Sequence, residues 1–274
     1  MLPVLFKIPE FDLFRFHFPG FEVRSYGVML VIGVLLSVWW SRRRAPKWGI
    51  EPERIFDATL WGIIPGILGA RIGYIVQEWD YYSKNPDEIW TLHFAGLTSF
   101  GGVLFAILGL LTYCKIAKVR PSVFLDVVAA PLLVAHAVGR IGCLLNGCCY
   151  GHQTTAWYGV PVDLVEGLFE PAQIYEAFLV MVGVGLILLF ERKPRGSGSS
   201  FWLVVLVWGV ARFIYEFFRA GTIEEVERGI ASSTYWGSLP ITQAQAAALV
   251  MVLIGGVMLL IAMRRPPVEV KGGA

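Results

Sequence analysis

Seven long, continuous apolar runs limit what this chain can fold into: Tyr26–Trp40, Ile55–Val76, Leu97–Ala117, Ser122–Leu145, Pro171–Phe190, Phe201–Phe218 and Ile241–Met263. Most approach the ~20 residues that a helix needs to cross a bilayer. The first is the shortest, and its helix could begin earlier, within Phe21–Ser25. The runs are unbroken rather than alternating, so strands of a membrane barrel do not fit them. With 56% hydrophobic and 16% charged residues, the composition is that of an integral membrane protein. The predicted fold class is all-α, with seven transmembrane helices in one polytopic membrane domain spanning residues 1–274. Residues 1–24 are expected to lie at the outer interface. Outer loops are expected over 77–96, 146–170 and 219–240, with a cytoplasmic tail over 264–274.

The loop charges orient this bundle. Alternate connections hold Arg42, Arg43, Arg44, Lys47 and Arg54, then Lys115, Lys118 and Arg120, then Arg192, Lys193 and Arg195, and finally Arg264, Arg265 and Lys271. These are 14 of the 23 lysines and arginines. The positive-inside rule assigns that face to the cytoplasm. The opposite face carries Glu78, Asp80, Asp87, Glu88, Glu224, Glu225 and Glu227 with few bases. The N-terminus is therefore expected outside and the C-terminus inside.

Other features narrow the function. Residues 1–24 lack a basic start followed by a short apolar core, so no cleavable signal is expected, and Phe11–Phe21 looks like an aromatic interfacial segment. Four cysteines are too few and too clustered for a disulfide scaffold. No nucleic-acid motif, phosphate-binding loop or His/Cys zinc spacing is evident, and neither a metal nor an organic cofactor is expected.

Charged residues placed inside the apolar runs are the candidate site, because they are costly there unless paired or facing a polar cavity. Arg140 arrives about five helical turns into its run, within the glycine- and cysteine-rich stretch Gly139–Gly151 that also contains Asn146, Cys143, Cys148 and Cys149. Arg71 lies about 24 Å along from Ile55 at a helical rise of 1.5 Å per residue. It follows the small-residue stripe Gly62, Gly66 and Ala70, which suits close helix packing. Glu176 sits inside the run that opens Glu170-Pro171-Ala172-Gln173. Arg212, Glu216 and Arg219 are spaced i, i+4 and i+3, so one helical face carries an Arg–Glu–Arg ladder. Each taken alone has a structural explanation: an arginine reaching to the interface, a self-neutralised triad, a hydrogen-bonded packing histidine at His136, an interfacial anchor at Tyr26. Together, Arg71, Arg140, Arg212 and Arg219 outnumber Glu176 and Glu216, and all lie toward the outer leaflet. The planar guanidinium fork suits phosphate, so an anionic phospholipid headgroup is the expected ligand.

The chain resembles the bacterial phosphatidylglycerol–prolipoprotein diacylglyceryl transferases. Gly139–Gly151 follows in outline the family signature Gly-Arg-x-Gly-Asn-Phe-x-Asn-x-Glu-x-x-Gly. Tyr26-Gly27, Gly69–Tyr74, Pro171–Glu176 and Arg212–Arg219 match as well, in order. Cys143 stands where the family usually has Asn, Cys148 where it has Glu, and Phe100 where a histidine commonly precedes Gly101-Gly102. The resemblance implies that the diacylglyceryl group of phosphatidylglycerol moves to the lipobox cysteine thiol of a prolipoprotein, with glycerol 1-phosphate leaving. It implies location in the bacterial inner membrane, with the active site toward the outer leaflet. The expected catalytic residues are Arg140, Arg212, Glu216 and Tyr26. Substrate binding is expected from Arg140, Arg71, Asn146, Gly151, Arg212, Arg219 and Glu176. For the base, His136, His152 and the field of the arginines alone stay open. A non-catalytic phospholipid-binding or lipid-transport protein using the same arginines is the alternative. A thiol–disulfide protein built on Cys143, Cys148 and Cys149 ranks behind it, because adjacent cysteines lack the Cys-x-x-Cys spacing.

Overall fold

The structure is a computed structural model and describes residues 2–13, 16–18, 20–90, 98–162, 165–219, 235 and 241–267. Phe94, Gly96, Leu97, Glu224, Glu225, Glu227 and Lys271 lie outside the described residues, as does most of the expected 219–240 loop.

Every one of the seven apolar runs is helical over most of its length. The helices are α1 (Ser25–Arg44), α2 (Pro52–Gln77), the short α3 (Trp79–Tyr82), α4 (Ser99–Ile116), α5 (Pro121–Asn146), α6 (Ala172–Phe190), α7 (Ser199–Tyr215) and α8 (Gln243–Met263). Five of them, α1, α2, α5, α6 and α8, are long and apolar enough to cross a membrane, and α4 and α7 are shorter apolar helices. Large apolar side chains such as Leu35, Ile64, Phe178 and Leu253 remain exposed on these helices. A helix apolar on all sides needs a non-aqueous surrounding for its outer face. This is a multi-pass membrane protein.

The chain divides into two compact units, Met1–Trp40 with Leu125–Glu269, and Ser41–Phe124 with Val270–Ala274. In the second unit α2 and α4 pack at backbone distance. A Cβ added at Gly66 would meet that of Ala106 at 3.3 Å, and one at Gly102 would meet that of Ala70 at the same distance. Gly66 and Ala70 of the small-residue stripe read from α2 thus form the α4 contact, the close approach that packing without a hydrophobic drive requires, whereas a Cβ at Gly62 would meet nothing within 4 Å. Arg54 ties the two helices at one end, donating to the Ala117 carbonyl at 2.7 Å.

The first unit is built on α5, α6 and α7 around buried Ala129, Ala130, Leu133, Ala137, Val180, Val184, Ile187, Val204 and Ala211. Gly209 of α7 lets α8 approach, with Ala248 O 3.1 Å from where a Cβ would stand. Asp126 of α5 is fully buried and accepts the backbone N–H groups of Gly198 and Phe201. It supplies from another helix the cap that Gly198 cannot give α7, satisfying otherwise orphaned donors.

The segment expected at the outer interface, 1–24, and the expected outer loop 146–170 both carry strands. The described residues before α1 include two antiparallel pairs, β1 (Val4–Ile8) with β4 (Phe21–Arg24) and β2 (Phe11–Leu13) with β3 (Phe16–Phe18). The connection after α5 forms a sheet of β5 (Gln153–Thr154), β6 (Val160–Val162) and β7 (Val165–Phe169), with β7 central. Strands this short leave little periodicity to read, which is why sequence pattern alone showed no strand in either segment.

Candidate active site

Two buried carboxylates organise the first unit's polar centre. Glu176, in the second turn of α6, has no exposed side-chain surface. Its Oε2 receives Arg140 Nε at 2.7 Å and faces Arg212 Nη1 at 3.8 Å, while Oε1 lies 3.2 Å from His136 Nε2. His136 and Arg140 are one helical turn apart on α5, so both reach the same carboxylate. Glu216, just past the end of α7, is the second. Its Oε2 pairs with Arg212 Nη2 at 2.9 Å and lies 3.8 Å from Arg219 Nη1. Thr242 Oγ1 donates to its other oxygen at 3.2 Å. Arg212 therefore bridges the two carboxylates.

The arrangement is layered. The glutamates are wholly buried behind, whereas the side chains of Arg140, Arg212 and Arg219 are each 17–18% exposed in front. Tyr215 is fully buried between, with Arg140 Cζ 5.4 Å and Arg212 Cζ 4.8 Å from its ring centroid. Its electron-rich face adds an attraction on the order of 1 kcal/mol to each cation. An ion at such depth is costly without partners, and each partner here also aims a guanidinium. Among the described residues, three cations on two carboxylates make the site cationic, suited to an anion that the planar forks can grip.

The rest of the Gly139–Gly151 stretch closes over this centre. α5 ends in a Schellman turn: Gly147 has φ +73°, Cys148 N donates to Cys143 O, and Gly147 N donates to Leu144 O. Cys149 then takes φ +62°, a conformation rare for a non-glycine residue. Two side chains hold it there: Tyr215 Oη donates to Cys149 O at 3.2 Å, and Gln173 Nε2 donates to Cys148 O at 2.6 Å. The Cys143, Cys148 and Cys149 sulfurs end within 4.8 Å of one another. Cys148 Sγ donates to Cys143 O at 3.7 Å, and Arg140 and Arg219 act electrostatically on Cys149.

Gly151 sits where three backbones meet. Its N donates to Glu170 O, it bridges to Arg219, and a Cβ would stand 2.8 Å from Glu170 Cβ. Its need is close approach, and the approach it permits anchors Arg219. Tyr26 packs over Gly142, where a Cβ would stand 3.4 Å from the Tyr26 ring. Asn146 is the last residue of α5, with its side chain beside Cys148.

Of the residues expected from the sequence, Arg140, Glu176, Arg212, Glu216 and Arg219 come together, with Gly151, Asn146 and Tyr26 flanking them. Arg71 belongs to the second unit, where its guanidinium lies 5.5 Å from the Tyr82 ring centroid and donates to Glu88 O at 3.4 Å. His136 is engaged with Glu176 and stacks edge-on against Trp208 at 5.2 Å. Sequence reasoning passed over Tyr215, Thr242 and Gln173. Thr242 carried a readable signal: Thr242-Gln243-Ala244-Gln245 is a capping-box pattern, and both of its hydrogen bonds are made.

A family model described as prolipoprotein diacylglyceryl transferase matches residues 14–261. A protein of Streptococcus pyogenes serotype M3 named phosphatidylglycerol–prolipoprotein diacylglyceryl transferase is 32% identical over 225 residues, covering 79% of this chain and 86% of its own length. Proteins of the same name from serotype M5 (strain Manfredo) and serotype M1 match to the same extent. The matched span contains both buried carboxylates and the three arginines gathered on them, and the chain belongs to the prolipoprotein diacylglyceryl transferase family.

Proposed function

We propose that this protein transfers the diacylglyceryl group of phosphatidylglycerol to the lipobox cysteine thiol of prolipoproteins and releases glycerol 1-phosphate. The observation that carries the reading is the layering of partly exposed Arg140 and Arg212 over fully buried Glu176 and Glu216. In the reaction the thiol sulfur bonds to the glyceryl carbon as that carbon's bond to the phosphate oxygen breaks. Negative charge moves onto the departing phosphate. Guanidinium groups already fixed by buried carboxylates stabilise that charge without reorganising.

Arg140 and Arg212 hold the phosphoglycerol and Arg219 adds to the field. Glu216 orients Arg212, and Glu176 orients Arg140. Tyr26, Asn146 and Gly151 shape the pocket wall. The protein is a seven-span protein of the bacterial inner membrane, with its N-terminus outside and this site toward the outer leaflet. The loop charges support that orientation. The partners are phosphatidylglycerol and prolipoprotein signal peptides.

The test is transfer from labelled phosphatidylglycerol to a lipobox peptide by purified protein in detergent, with glycerol phosphate assayed in parallel. Wild-type protein is expected to turn over, and Arg140→Ala and Arg212→Ala to lose at least about 100-fold, the scale of removing a donor to developing charge. Phospholipid binding without transfer or glycerol phosphate release would instead make this a lipid-binding protein.

A further inference from the structure

Arginines and carboxylates account for the phosphate side of the reaction, but three cysteines beside them have no part in it. Cys143 is buried at the end of α5, while Cys148 and Cys149 are partly exposed, and all three are free thiols. Their sulfurs lie within 4.8 Å of one another. The convergence is built by the backbone. The Schellman turn folds Cys148 back over Cys143, and the left-handed conformation of Cys149 brings the third sulfur round. A positive φ at a non-glycine residue costs on the order of 1 kcal/mol or more, and such strain gathers at functional sites when surrounding contacts enforce it. Here Tyr215 and Gln173 enforce it through the Cys149 and Cys148 carbonyls.

We propose that Cys143, Cys148 and Cys149 bind one Zn²⁺ ion through three thiolates, leaving a fourth position open for the acceptor thiol. With Zn–S bonds of about 2.3 Å, tetrahedral geometry sets sulfurs about 3.8 Å apart. In the arrangement present no pair of these sulfurs is more than about 1 Å wider than that spacing. Zinc fits better than copper(I): both favour thiolate, but zinc is redox-inert and takes a fourth ligand. The partly exposed Cys148 and Cys149 put that position on the accessible side. Three thiolates around Zn²⁺ carry net negative charge, and Arg140 and Arg219 act electrostatically on Cys149 from the adjoining site.

Chemically, the bound ion takes the acceptor sulfur as thiolate and releases its proton to solvent. That sulfur then bonds to the glyceryl carbon while the carbon–oxygen bond to the phosphate breaks. No electron is transferred to or from the metal. A metal-bound thiolate is formed at neutral pH without a dedicated base. This use of the ion rests on the transferase reading; the ion's binding does not.

The experiment uses the full-length protein in detergent, reduced and stripped with a chelator, then dialysed against micromolar Zn²⁺ and analysed for bound metal. Wild type and Cys114→Ser are expected to hold about one zinc per chain, and Cys143→Ser, Cys148→Ser and Cys149→Ser to fall below about a tenth of that. Substituting Co²⁺ should give a sulfur-to-cobalt charge-transfer band in the near ultraviolet. A lipobox peptide should shift the band, and its Cys→Ser analogue should not. No zinc above the level of the triple Cys→Ser variant overturns the site, as does a disulfide among these cysteines with no metal in any preparation. If zinc binds, but the peptide leaves the cobalt band unmoved and transfer survives zinc removal, thiol activation is overturned while the transferase reading stands. If zinc and peptide both bind as expected yet no glycerol phosphate is released, the transferase reading fails and the metal site stands.

Discussion

Arg140 shows why the identity of a single side chain matters at this depth. Its Nε is committed to Glu176 at 2.7 Å, so the other guanidinium edge is the one left to meet phosphate. A lysine has a single ammonium and cannot serve both directions with a planar fork. Arg140→Lys is expected to lower transfer by roughly 10- to 100-fold while the protein stays folded; turnover and thermal melting in the same detergent check this. Wild-type turnover in Arg140→Lys would remove the two-sided role. Glu176→Gln tests the carboxylate behind it. Removing one partner of a buried ion pair costs about 3–5 kcal/mol, so a lower melting temperature is expected together with weaker transfer. The sequence could place Arg140 and Glu176 inside apolar runs, and their cost there marked them as a site. It could not pair them, because 36 residues separate the two positions and the pairing is a product of helix packing.

At the scale of elements, helix ends rather than helix middles build the site. The capping box of α8 holds Thr242, whose hydroxyl also supports Glu216. Thr242→Val is expected to cost about 1–2 kcal/mol through the lost cap and to weaken transfer through Glu216. Thr242→Ser should restore both, whereas a purely steric role would not be rescued by the smaller residue. Paired melting curves and turnover assays separate the cases. Gly151 is the other such element. A methyl group there runs into Glu170 Cβ and the Phe218 carbonyl, so Gly151→Ala should displace the segment after α7 that carries Arg219. Its expected signature is a reduced melting temperature with transfer lowered beyond the loss of folded protein. The capping pattern was legible from four adjacent residues. The crowding at Gly151 was not, because it comes from segments about 20 and 67 residues away.

For the whole molecule, the hydropathy of the runs and the charges between them carry the topology. All seven runs are helical, and five of the helices are long and apolar enough to span. The asymmetry of 14 basic residues on one set of connections predicts that a fluorescent protein fused after Ala274 will fold and fluoresce in the cytoplasm. A phosphatase fused after Lys84 should be active outside. The reverse pattern would invert the topology and place the arginine site toward the other leaflet. By itself the sequence determined the class of protein, the positions of the helices and the identities of the charged residues within them. These follow from local physics: apolar length against bilayer thickness, and the cost of a charge in hydrocarbon. Only the tertiary structure decided which carboxylate holds which arginine, that Asp126 caps a helix other than its own, and that three cysteines share one point in space. Those outcomes depend on how helices dock and where a chain reverses, and side chains far apart in sequence meet only after that has happened.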